Sequence, residues 1–182
     1  MAKQRDNLVW IDCEMTGLDP EQHVLLEIAT IVTNYDLEII AEGPVLAIHQ
    51  PERELKKMDN WCRSTHGRSG LTERVRDSTV DLAEAQRQTL KFIRKHCYVR
   101  TAPLCGNSVG QDKRFLVKYM PKVEAFLNYR IVDVSSIKLL ASRWYDGKKD
   151  APKKEEVHLA LNDIKESIEE LRFYRQNVFV KK

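Results

Sequence analysis

Asp12 and Glu14 stand two residues apart at the end of the apolar run Leu8-Val9-Trp10-Ile11, and a turn around Gly17 follows. In a strand, residues i and i+2 point to the same side, so this spacing sets two carboxylates next to each other. They repel, and each resists losing water. A strand that looks buried and ends this way calls for a compensating partner elsewhere in the chain.

Asp112 is the first candidate. It follows Ser108 and Gln111, whose S-x-x-Q spacing is that of a capping box and predicts a helix beginning at Ser108. Phe115, Leu116 and Tyr119 come three, four and seven residues after Asp112, so the acid continues the stripe that should face a core. The helix dipole favours an acid in a first turn, which accounts for the turn but not for the face. Asp163 is the second candidate. Leu161, Ile164, Ile168 and Leu171 form the apolar stripe of the last helix, and Asp163 flanks it between the small residues Ala160 and Ser167. A partly exposed surface acid fits that position equally well. His158, five residues before Asp163, is expected in the preceding loop or first turn, where it can point back toward the acid.

Oxygen-only ligands from Asp12, Glu14, Asp112 and Asp163 suit hard cations such as Mg²⁺ or Mn²⁺ rather than zinc. A pair of such ions can hold a phosphodiester, activate water and stabilise a leaving oxygen. His158, with an unperturbed pKa of about 6.5, could take the proton from that water. A zinc site from Cys62, His66, His96 and Cys97 is the competing metal reading, but the spacing matches no common zinc pattern.

The elements that must position these residues read as strands first and helices later. Strands are predicted over Leu8–Glu14 and Leu25–Thr33, with a bent third strand from Leu37–Ile40 and Val45–His49 around Gly43-Pro44. A short helix over Glu54–Trp61 precedes a loop over Arg63–Gly70, and a longer helix covers Asp81–His96. Strand Thr101–Gly106, helix Gln111–Tyr119, strand Tyr129–Val134, helix Ser136–Trp144 and helix Leu159–Tyr174 complete the pattern, with a charged solvated loop over Asp146–Glu156. This order predicts an α/β fold: a mixed five-stranded sheet, its first three strands antiparallel, flanked by helices.

With 182 residues the chain is sized for one domain, residues 1–182. The four cysteines form no CxxC pair and suggest a reduced, intracellular protein, and the missing targeting segment favours the cytoplasm. No stretch approaches the roughly 18 apolar residues of a membrane span, and the N-terminal MAKQRDN lacks the apolar centre of a signal peptide. A net charge of only +3 argues against gripping long nucleic acid, though not against a short anionic ligand.

Asp12-Cys13-Glu14, Asp112 and His158-x₄-Asp163, in this order, resemble the motifs of the DEDDh 3′-to-5′ exonucleases. The resemblance runs from about Leu8 to the C-terminus through WIDCEMTGLDP, IIAEGP, DNWCRSTHGRSGL, CGNSVGQDKRFL, KYMP, YRIVDVSSIK and HLALNDIKESIEELRFYR, and is closest to members that act on short RNA. It implies a ribonuclease-H-like fold and an enzyme that takes RNA fragments of a few nucleotides, dinucleotides above all, to mononucleotides.

The resemblance further implies that Asp12, Glu14, Asp112 and Asp163 hold two metal ions and that His158 is the general base. Leu18 would wedge against the bases, Trp61 and His66 would shape the nucleotide pocket, and Ser108 and Gln111 would lie near the substrate. Arg130 and Ser135 would contact the 5′ phosphate, and Tyr129 would reach across from the second subunit of a homodimer. Cys13 stands where a Leu is common, and Asn162 where an Asp often precedes the last acid. Three competing readings are a DEDDh exonuclease for longer RNA or DNA, a non-catalytic nucleotide-binding module of the same fold, and aspartyl-phosphate chemistry. The last would want D-x-D where this chain has D-x-E.

Overall fold

The structure, a computed structural model, describes residues 3–152 and 159–180. Strands β1 (Asn7–Met15) and β2 (Leu25–Asn34) are its longest and most buried, and they pair antiparallel with Asp12 opposite Ala29 and Glu14 opposite Glu27. Their near-continuous runs of Leu, Val, Ile and Trp are what a strand covered on both faces requires. Trp10 is fully buried, and its indole N–H donates to Thr33 Oγ1 at 3.0 Å, which satisfies the one polar atom the side chain brings inside.

Strands β3 (Ile39–Glu42) and β4 (Leu46–Ala47) both pair with β2, while β5 (Pro103–Gly106) runs parallel to β1 and β6 (Asn128–Asp133) parallel to β5. Among the described residues the sheet therefore has six strands, in the order β3-β2-β1-β5-β6 with β4 also on β2. The expected bent third strand is two strands. The chain breaks between them at Gly43, whose N–H donates to Thr30 O at 2.8 Å and where a Cβ would stand 2.7 Å from the Phe92 ring. Only glycine permits that approach.

The helices are α1 (Glu52–Leu55), α2 (Asn60–Arg68), α3 (Leu71–Asp77), α4 (Leu82–His96), α5 (Gly110–Tyr119), α6 (Pro121–Glu124), α7 (Val134–Trp144) and α8 (Ala160–Asn177). On one face of the sheet Val9, Ile11, Ile28 and Val32 pack with Ile93 of α4 and Phe115 and Leu116 of α5. On the other, Leu8, Trp10, Ala29 and Ile31 pack with Ile164, Ile168 and Tyr174 of α8. Each of the larger side chains contributes about 1.5–3 kcal/mol on burial, so the two layers fix α5 and α8 on opposite sides of β1.

The region after Pro51 corrects the sequence reading. The helix expected over Glu54–Trp61 is divided, and the expected loop Arg63–Gly70 is largely α2. Asp59 caps the second piece by accepting from the Cys62 N–H at 2.7 Å, and Cys62, Thr65 and His66 turn inward on one face. Capping and burial override the weak helix propensity of a Ser-Thr-His-Gly run.

The capping box expected at Ser108 and Gln111 does not form. Ser108 has φ +49°, α5 begins at Gly110 without a side-chain cap, and both side chains bond elsewhere. The charged loop expected over Asp146–Glu156 lies partly outside the described residues.

Candidate active site

Because side chains alternate along β1, Asp12 and Glu14 lie on the face that Leu8 and Trp10 share with α8. There they meet Asp163, one turn into α8: carboxylate oxygens of Asp12, Glu14 and Asp163 all lie within 4.8 Å of one another. Cys13 points the other way, into the α4–α5 core. Asp112 arrives from α5 and is buried, and its Oδ1 accepts the Cys13 backbone N–H at 3.0 Å. Asp12, Glu14 and Asp163, drawn from one strand and one helix, thus converge at the C-terminal end of β1, and the Cys13 N–H holds Asp112 of α5 beside them. Asn162, next to Asp163, is exposed and takes no part in the cluster.

Electrostatics express the cost of this arrangement. Desolvation pushes the Asp12 carboxyl well above its usual range, and the charges of Asp112, Glu14, Asp163 and Glu27 add to the shift. Glu14 is raised to about 8, by desolvation first and then by Asp163, Glu27 and Asp112, while Arg74 pulls it back. Asp112 is raised to about 7 by desolvation, against the stabilising N–H of Cys13. Crowded, desolvated carboxylate oxygens of this kind fit a hard divalent cation, which would relieve both the repulsion and the lost hydration.

Asp12, Glu14 and Asp112 line a cleft of about 220 Å³ together with Leu18, Trp61, His66, Ser108 and Gln111. Leu18 and Trp61 are 70% and 59% exposed, so both present apolar surface at its mouth. The Leu18 turn is held by α5, since Gln111 Nε2 and Arg114 donate to the Leu18 carbonyl. His66 is buried on α2. Its Nε2–H donates to the Met15 carbonyl at 3.0 Å, and its Nδ1 sits 3.8 Å from Glu14 Oε2.

Ser135, at the start of α7, reaches the cleft through Ser108, whose N–H it accepts at 2.9 Å. Tyr129 and Arg130 lie outside the cleft lining, on the edge strand β6, with the Arg130 guanidinium 4.7 Å from the Tyr129 ring centre. His158 lies outside the described residues.

Three residues that the sequence reading did not single out belong to the site's surroundings. Glu27 is 1% exposed and paired with Arg74 of α3. It was visible as the one acid in LLEIATIVT. Asn107, just after β5, bonds to Ser135 of α7 and to Ser167 and Glu170 of α8, and nothing in its local spacing marks it.

The fold and the acidic cleft are those of a hydrolytic nuclease: residues 9–171 match the Exonuclease family. Similar folds include the zinc-bound E. coli exonuclease I–single-stranded DNA complex (TM-score 0.74, 12% identity) and exonuclease I of Methylocaldum szegediense (TM-score 0.70, 16% identity). These cover 96% and 94% of this chain, which spans only 41% of either exonuclease I. Full-length similarity is much higher to the oligoribonucleases of Marinobacter nauticus, 59% identical over 96% of this chain and 97% of that protein, and Aeromonas hydrophila, 59% identical over 98% and 99%. The chain belongs to the oligoribonuclease family.

Proposed function

We propose that this protein hydrolyses RNA fragments a few nucleotides long, dinucleotides above all, from the 3′ end to nucleoside 5′-monophosphates. The observation that carries the reading is the convergence of Asp12, Glu14 and Asp163 within 4.8 Å beside a cleft of about 220 Å³. The relatives named oligoribonuclease support the substrate class.

Asp12, Glu14, Asp112 and Asp163 would hold two divalent cations, Mg²⁺ or Mn²⁺. When bound, such ions neutralise phosphate charge and make a water nucleophilic near neutral pH. The chain's own residues supply the rest. Leu18 and Trp61 give the bases apolar surface to pack against, and His66 closes the wall behind Glu14. Ser108 and Gln111 shape the cleft beside Asp112. Arg130 and Ser135 receive the 5′ phosphate, and His158 accepts the proton of the attacking water, a role that rests on its place five residues before Asp163 in the sequence.

Tyr129 is assigned to a neighbouring copy's substrate in a homodimer. The apolar surface of β6 and α7 supports this reading. Tyr129 and Ile131 are exposed on the edge strand, and Leu139, Leu140 and Trp144 are exposed on the helix that follows it. A cytoplasmic setting is supported by the four free, buried cysteines. Among the described residues no helix is long and apolar enough to cross a membrane. The whole chain is read as one exonuclease domain.

A time course on labelled RNAs of two to seven nucleotides with Mg²⁺ tests the substrate reading. Dinucleotides are expected to disappear fastest; equal rates at every length would favour an exonuclease for longer strands.

A further inference from the structure

Asn107 follows the last residue of β5 and sits between α7 and α8. Its Nδ2 donates to Ser167 Oγ at 2.8 Å and to Glu170 Oε2 at 3.0 Å, both on α8. Its Oδ1 accepts from Ser135 Oγ at 3.0 Å, on α7. The Ser135 hydroxyl in turn accepts from the N–H and the hydroxyl of Ser108, at 2.9 and 3.1 Å. Ser167 Oγ donates to the Asp163 carbonyl at 2.7 Å. One planar amide, with both its hydrogens and its oxygen engaged, therefore links Ser108 and Ser135 to the turn of α8 that carries Asp163. The acceptor-only carboxylate of Glu170 fixes which way the amide faces.

Ser108 has φ +49°, uncommon for a residue other than glycine, and α8 begins at Ala160 without a side-chain cap. Glu170, 5% exposed, is an acid the hydrolysis does not use, and Lys138 of α7 pairs with it at 3.3 Å. That ion pair crosses between the same two helices that Asn107 bridges. The polar contacts gather at the C-terminal end of β5, where the two sides of the site must be kept in register.

We propose that Asn107 is a positioning residue that couples the Ser108–Ser135 side of the cleft to the Asp163 side, so that substrate and cation are held in a fixed mutual geometry. The proposal rests on the reading of this cleft as a metal-dependent nuclease site. Outer residues that orient ligands are worth roughly 10–100-fold in metal affinity, which sets the size of the expected effect.

The test uses the full-length protein and three readouts: kcat and KM on a labelled ribodinucleotide, Mn²⁺ affinity by isothermal titration, and thermal melting by circular dichroism. Asn107→Asp keeps the oxygen that Ser135 needs, removes the donors to α8 and sets a charge against Glu170. It is expected to lower Mn²⁺ affinity and kcat about tenfold or more and to leave KM within about twofold. Asn107→Ser, the milder change should the first melt too low, is expected to weaken both arms, raising KM as well as lowering Mn²⁺ affinity. Adding Glu170→Gln to Asn107→Asp exchanges amide and carboxylate and is expected to recover most of the lost affinity.

A fall in melting temperature with Mn²⁺ affinity, kcat and KM unchanged would overturn the proposal. Unmodified protein that leaves dinucleotides intact, while Asn107→Asp still weakens Mn²⁺ binding, would sink the substrate assignment and support the positioning role.

Discussion

The backbone N–H of Cys13 donates to Oδ1 of Asp112 at 3.0 Å, across 99 residues of sequence. The donor lies between Asp12 and Glu14, so the bond ties α5 to the segment of β1 that carries both acids. It also gives Asp112 one favourable partner in a place where desolvation otherwise drives its carboxyl up to about 7. A crowded, desolvated acid of this kind costs stability that a divalent cation would offset.

Asp112→Asn keeps the acceptor oxygen and removes a charge. Turnover of a ribodinucleotide is expected to fall by about a thousandfold or more. The cation-free protein should melt higher, because a crowded acid has been removed; for a chain of this length each kcal/mol moves the midpoint by about 2–4 °C. Calorimetry in EDTA beside a steady-state assay checks both. An active variant, or one that melts lower, would contradict the assignment.

Glu14 at about 8 and Asp112 at about 7 both titrate well above their unfolded values of about 4. The native cation-free protein therefore binds more protons than the unfolded chain between these limits. The sign follows: the stability held by these protons is complete below about pH 4 and is lost as pH rises through 7 and 8. Urea midpoints in EDTA should fall between pH 5.5 and 8.5 from these groups, and added Mn²⁺ should reverse the fall at pH 8.5. Titration of Mn²⁺ at pH 7 should release protons, measurable as a buffer-dependent heat.

Arg74 reaches Glu27 from α3, and Glu27 is otherwise sealed at 1% exposure directly opposite Glu14. Arg74→Met leaves that carboxylate buried and unpaired. A fully buried pair broken this way loses about 3–5 kcal/mol. The Arg74 side chain is 41% exposed, and solvent screening reduces the expected loss to about 1–3 kcal/mol. A double-mutant cycle with Glu27→Gln checks it, and additive single effects would show that the pair contributes nothing.

Leu18 is 70% exposed on a turn held through its backbone carbonyl by Gln111 and Arg114. Leu18→Ala should leave stability within about 0.5 kcal/mol and raise KM for a ribodinucleotide several-fold. Unchanged kinetics would remove Leu18 from the substrate site.

Trp144, 69% exposed at the end of α7, should be covered if a second copy docks on the β6–α7 surface. Trp144→Glu is then expected to shift sedimentation toward a monomer, and Tyr129→Ala to slow dinucleotide cleavage while the dimer persists. A native protein that sediments as a monomer and is fully active would rule the dimer out.

Much of this site is written locally. The two acids of β1 share a face because strands alternate, and Asp112 continues the stripe of Phe115 and Leu116 because helices repeat every 3.6 residues. Those periodicities need only neighbouring residues, so the sequence by itself determined the acids and the layers they would face. Other features depend on groups far apart in the chain. On its own helix Asp163 fits a surface role as well as a ligand role, and only the packing of α8 against Trp10 and Ile31 brings its carboxylate within 4.8 Å of Asp12 and Glu14.

Tertiary structure likewise took Ser108 and Gln111 out of the capping box their spacing suggested, because Ser135 and the Leu18 carbonyl offered them partners across the cleft. It made a helix of Asn60–Arg68, since burying Cys62, Thr65 and His66 outweighs a few tenths of a kcal/mol per residue of propensity. Periodicity is a property of the chain and can be read along it. A hydrogen bond between residues about a hundred positions apart exists only once the sheet has brought its strands together.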